Sequence, residues 1–213
     1  MELNKQSLEE LFGSFRAEWL REKIYSFFNE PGYFTHLNSP KSCVLIGGRG
    51  SGKTTALKCM SYEGQFALGN LEASKPKYIG FYLKVNTNTV TSFSGPELSE
   101  EDWGKLFNHY VNLSVCEEIV NYLIWRERNN FGTSEALDFT RVCEALGVEA
   151  VDNANKFLEN IDDARLQLEM YINNLGQGKP RLSPRQTPLS LLMAELKKLD
   201  GHSATSFYII FDE

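Results

Sequence analysis

Between Cys43 and Leu57 the chain reads Cys-Val-Leu-Ile-Gly-Gly-Arg-Gly-Ser-Gly-Lys-Thr-Thr-Ala-Leu. Gly47, four residues, Gly52, Lys53 and Thr54 match the phosphate-binding loop pattern. The chemistry requires this spacing. Glycines let successive backbone N–H groups turn inward as a concave nest for phosphate oxygens. A helix beginning near Lys53 brings its positive dipole end to the same place. Lys53 then reaches the β- and γ-phosphates of a nucleoside triphosphate, and the Thr54 hydroxyl ligates Mg²⁺. The candidate nucleotide-binding set is Gly48, Arg49, Gly50, Ser51, Gly52, Lys53, Thr54 and Thr55.

A second constellation lies at Phe207-Tyr-Ile-Ile-Phe211, followed by Asp212-Glu213. Asp212 is a candidate for the Mg²⁺ shell, directly or through water, and Glu213 for the general base that polarises an attacking water. An acidic pair after a strand is by itself most simply a solvated turn. Beside a phosphate loop in the same chain it reads as the second half of an ATP-hydrolysing site. ATP and Mg²⁺ are therefore the expected cofactors.

These residues need elements to hold them. The apolar run over 43–47 predicts a strand entering the loop, and 53–62 the helix leaving it. Tyr78 to Val85, β-branched and aromatic, predicts a second strand. Asn86 follows it, where open α/β sheets place ligands, although Asn is also a plain turn former. The third strand is 207–211. Tyr33 and Phe34, just before the first strand, either contact a base or pack the first helix onto the sheet.

The remaining chain reads as helix. Ser7 and Glu10 form a capping box for 7–28, where Leu8, Leu11, Phe12, Phe15, Trp19 and Ile24 recur at helical spacing. A long helical region, 98–128, opens on Ser99 and Asp102. Its broad apolar stripe from Trp103 to Trp125 reads as core packing. Ser134 is expected to cap a helix over 135–146 closed by Gly147, and another follows over 151–174. The stretch from Gly176 to Gln186 is hydrophilic and expected to be mobile. Thr187-Pro188 then starts a helix running to about Leu199. The expected organisation is 1–40 as lead-in, 41–97 as the first half of an ATPase core, 98–186 as a helical insertion or lid, and 187–213 as the returning helix and strand.

Composition narrows the partners. With 22 Lys and Arg against 28 Asp and Glu the net charge is −6, and no basic run advertises a nucleic-acid surface. No stretch approaches the roughly 20 apolar residues of a membrane span. The four cysteines, Cys43, Cys59, Cys116 and Cys143, lack metal spacing and read as reduced core thiols of a cytoplasmic protein. His36, His109 and His202 have no partner spacing and read as structural or exposed.

The loop and the Asp-Glu strand together resemble P-loop ATPases with an extra catalytic glutamate. Val44-Leu-Ile-Gly-Gly-Arg-Gly-Ser-Gly-Lys-Thr-Thr is most similar to the AAA+ group related to the origin-recognition initiators. It also resembles a set of bacterial ATPases with a Gly-Gly-Arg-Gly-x-Gly-Lys-Thr loop. Cys59-Met-Ser-Tyr-Glu-Gly-Gln and Lys84-Val-Asn-Thr-Asn add to the likeness, which covers about residues 10–125 and the last strand.

The resemblance implies an α/β P-loop NTPase three-layer sandwich with a parallel sheet. It implies a large helical insertion, because Lys53 and Asp212 lie 159 residues apart (212 − 53). It implies truncation after the Asp-Glu strand. The family's later strand, its sensor residues and its helical lid would follow Glu213, and residues 1–213 are expected not to fold stably alone. Asn86 would be the polar residue that restrains Glu213 until a partner engages. That partner, or a second copy, would supply an arginine finger; Arg49, inside the loop, reads as a packing residue. The implied function is an ATP-driven switch or motor within a larger bacterial protein, of a kind often found in phage defence or mobile elements. Two alternatives are open. One is an ABC or chromosome-maintenance type of head, with Leu182-Ser183-Pro184-Arg185-Gln186 near the signature position but without its glycines. The other is a nucleotide sensor with little hydrolysis.

Overall fold

The computed structural model describes residues 23–26, 28–39, 41–70, 76–175, 180–184 and 187–213. The expected helix over 7–28 lies mostly outside the described residues, as does most of the hydrophilic 176–186 stretch. The chain divides into two compact units, Met1–Leu71 and Glu72–Glu213.

In the first unit, short helices α1 (Lys23–Ser26) and α2 (Phe34–Leu37) precede α3 (Lys53–Met60) and α4 (Tyr62–Ala67). α1 packs against α3, and the Phe28 and Phe34 rings meet at 5.2 Å. α3 and α4 form a tight corner. The Ser61 hydroxyl donates to the Lys58 carbonyl at 2.7 Å and accepts from the Gly64 amide at 3.1 Å, so one side chain stops α3 and caps α4. Gln65 Nε2 donates to the Cys59 carbonyl at 2.6 Å and ties the second helix to the last turn of the first.

The expected strand over 43–47 is not formed. Residues 42–48 have no ladder partner among the described residues, and Val44 and Ile46 are 86% and 88% exposed. The apolar run suits a strand, but a strand exists only through its neighbour's hydrogen bonds. Cys43 is exposed with them and is not a core thiol, whereas Cys59, Cys116 and Cys143 are buried.

The second unit is built on α6 (Glu100–Arg128), which follows strand β1 (Tyr78–Lys84) and the short α5 (Thr87–Thr91). Ser99 caps α6 as its spacing predicts, accepting from the Asp102 amide at 3.1 Å. The helix is apolar on more than one face because it is packed on several sides. β1, α7 (Thr140–Leu146), α8 (Ala154–Asn173) and α9 (Thr187–Leu196) all contact it. Leu113, Ile119 and Val120 are fully buried. Each such side chain contributes roughly 1.5–3 kcal/mol relative to an exposed one, so α6 is the core of this unit. Along α8, buried Ala154, Phe157, Ile161, Leu168 and Tyr171 follow the three-four spacing of a helix seam.

The helix expected over 135–146 begins only at Thr140, and Ser134 is not its cap. The Ser134 amide and hydroxyl both donate to Glu127 Oε1. Glu127 on α6 takes the donors, and the chain turns before helix can start. Gly147 ends α7 at φ 80, as expected.

β1 pairs in parallel with β2 (Ser206–Asp212), with Tyr78 opposite Ser206 and Lys84 opposite Asp212. Among the described residues this is a two-stranded parallel sheet in a mixed helix and strand chain. Ile79 and Phe81 lie on the face that meets α6, where Phe81 packs edge-on against Tyr122 at 5.8 Å. Among the described residues no helix is long and apolar enough to cross a membrane.

Candidate functional site

The phosphate loop stands on α3. Gly50 and Gly52 have φ of 82° and 80°, where a side chain is disfavoured. Gly52 is the N-cap of α3, and its carbonyl accepts the Ala56 amide at 2.9 Å. Gly48 to Gly52 are exposed, while Lys53, Thr54 and Thr55 are half-buried at the helix start. The Lys53 ammonium is folded onto its own loop, donating to the carbonyls of Gly47 at 2.6 Å and Gly48 at 3.1 Å. The start of α3, with its positive dipole end, lies beside this ammonium. Arg49 is exposed at the loop tip.

The acidic pair stands at the C-terminal end of β2. The Asp212 carbonyl accepts the Val85 amide at 2.7 Å, which carries the pairing one residue past β1. Its carboxylate, on a residue 8% exposed, accepts from the Tyr82 hydroxyl at 2.7 Å through Oδ2. A half-held carboxylate at a strand end suits a hard cation, which takes oxygen ligands and keeps several waters. Glu213 follows, exposed. Asn86, one residue beyond Val85, caps α5, its Oδ1 accepting the Asn88 amide at 3.0 Å. Asp212, Glu213 and Asn86 thus share one end of the sheet, and Gly48 to Thr55 share one loop and helix start. Tyr82 carried no functional signal in the sequence.

Ser183, which would sit in a partner-facing signature of an ABC-type head, is buried. Its amide donates to His109 Nδ1 at 3.1 Å, and its hydroxyl accepts from Asn112 Nδ2 at 2.8 Å. Burial pushes the His109 ring down to about 4. Burial also pushes the Cys59 thiol up to about 12, far from a reactive thiolate.

A family model described as ORC-CDC6-like matches residues 10–213. The chain belongs to the ORC-CDC6-like family. No curated protein and no solved structure matches it. ORC-CDC6-like proteins are AAA+ modules of the ATPase type, and nucleotide binding, usually with Mg²⁺, goes with the family. The match runs through 98–186, where the sequence alone had offered no resemblance beyond about residue 125.

Proposed function

We propose that this ORC-CDC6-like chain is an ATP-binding and ATP-hydrolysing switch. Gly48 to Thr55 bind the triphosphate, with Lys53 on its β- and γ-phosphates and Thr54 in the Mg²⁺ shell. Asp212 completes that shell, and Glu213 accepts the proton of the attacking water. The bound metal supplies charge neutralisation at the phosphates. Asn86 holds Glu213 in check until a second copy or a partner protein contributes an arginine. The observation that supports this reading best is the loop itself, with two left-handed glycines, a lysine and a helix start in four consecutive residues. The wider setting, one module of a larger bacterial protein in phage defence or mobile-element biology, rests on the likeness of the loop.

ATP turnover by the full-length protein tests the reading, beside Lys53→Ala and Glu213→Gln. Lys53→Ala is expected to abolish ATP binding, and Glu213→Gln to bind ATP without turnover. Tight binding by the wild type with no effect of Glu213→Gln would make the module a sensor instead.

A further inference from the structure

We propose that Tyr82 is the positioning residue of the Mg²⁺-shell carboxylate, a role that rests on the reading of Asp212 given above. Tyr82 and Asp212 are 130 positions apart in sequence, yet the register makes them diagonal neighbours. Tyr82 lies opposite Ile210, and Lys84 opposite Asp212, so Tyr82, Lys84 and Asp212 share one sheet face. The Tyr82 hydroxyl donates to Asp212 Oδ2 at 2.7 Å. A hydrogen bond to an ionised oxygen is roughly twice as strong as a neutral one.

The need for such a partner follows from the aspartate side chain. Its terminal torsion is broad and nearly two-fold, so backbone pairing alone does not set which way the carboxylate plane lies. The amide of Val85 fixes the Asp212 backbone. Tyr82 fixes the plane, engaging Oδ2 and leaving Oδ1 for the metal or its water. The donor comes from β1, directly beside the acidic strand, so it is as rigid as the sheet. Partners that orient a metal-binding group typically carry about 10–100-fold in metal affinity.

The test is ATP binding by the full-length protein, titrated by calorimetry once with Mg²⁺ and once in EDTA. The ratio of the two affinities is the readout. In Tyr82→Phe, which keeps the ring and removes the hydroxyl, the Mg²⁺ enhancement is expected to fall by about tenfold or more, with affinity in EDTA unchanged. A residue that merely packs the sheet would move both affinities or neither, and either result overturns the proposal. Asp212→Asn separates the two levels. If it removes the enhancement while Tyr82→Phe keeps it, the role of Tyr82 is wrong and the metal assignment stands. If Asp212→Asn keeps the enhancement, the metal assignment is wrong and the role of Tyr82 falls with it.

Discussion

Gly64 crosses α3 so closely that a Cβ on it would sit 2.2 Å from the Lys58 carbonyl oxygen and 2.8 Å from the Cys59 Cα. Both obstacles are backbone, so neither can swing aside. Gly64→Ala is expected to push α4 off α3 and cost roughly 1–3 kcal/mol, the usual range for overpacking. Urea denaturation of the full-length protein checks this; an unchanged midpoint would show that the corner yields freely.

At Gly50 and Gly52 the space is open, with nothing within 4 Å of an added methyl group, and the constraint is the positive φ. Alanine there costs roughly 1–2 kcal/mol in the left-handed region. An exposed loop escapes that cost when empty by relaxing, but must accept it to form the phosphate nest. Gly50→Ala and Gly52→Ala should therefore weaken ATP binding about tenfold or more and barely change melting. Equal affinities in an ATP titration would mean that the nest does not use this conformation.

His109 predicts a pH dependence. Its Nδ1 accepts the Ser183 amide, so the folded ring is neutral, and burial holds its pKa near 4 against an ordinary 6.5. The unfolded state binds the proton more readily. Stability from this group is therefore complete above about pH 6.5 and is lost as pH falls toward 4, by about 3 kcal/mol. His202 is lowered in the same direction, chiefly by burial. His109→Asn retains a neutral acceptor and should flatten, though not abolish, the fall in unfolding free energy between those two pH values. An unaltered slope would locate the dependence elsewhere.

Tyr122 and His202 carry a second buried bond. His202 Nδ1 donates to the Asp200 carbonyl at 2.8 Å, so its Nε2 is the acceptor for the Tyr122 hydroxyl at 2.7 Å. Tyr122→Phe keeps the ring against Phe81 and leaves Nε2 buried without its donor. The expected loss is roughly 1–3 kcal/mol, read by chemical denaturation. A loss below a few tenths would mean that water replaces the hydroxyl.

How much of this was legible in the sequence depends on how far each feature reaches. The glycines at 50 and 52, the cap at Ser99, the stop at Gly147 and the strand from Tyr78 are local, and the residue types alone announce them. The segment 43–47 has the right residues for a strand, but pairing is a property of two segments, and the neighbour was not in the local pattern. Ser134 carried a valid cap signal that lost to Glu127, a competitor seven residues back on α6. The bond from Tyr82 to Asp212 spans the whole helical block, so no spacing rule could find it. Gly64 lies past the helix expected over 53–62, so its place where two backbones cross depends on α4, which the local pattern did not announce.

The parallel pairing of β1 with β2 also has a cost in time. Ser206 is made 128 residues after Tyr78 (206 − 78), the residue it faces. At roughly 5–20 residues per second, β1 waits for several to some tens of seconds during translation before β2, its partner among the described residues, is made. α6 is the next long element to emerge, and Phe81 can dock on Tyr122 before β2 exists. Synthesis in that order shelters the apolar face of β1 first and leaves only its hydrogen-bonding edge open until the acidic strand arrives.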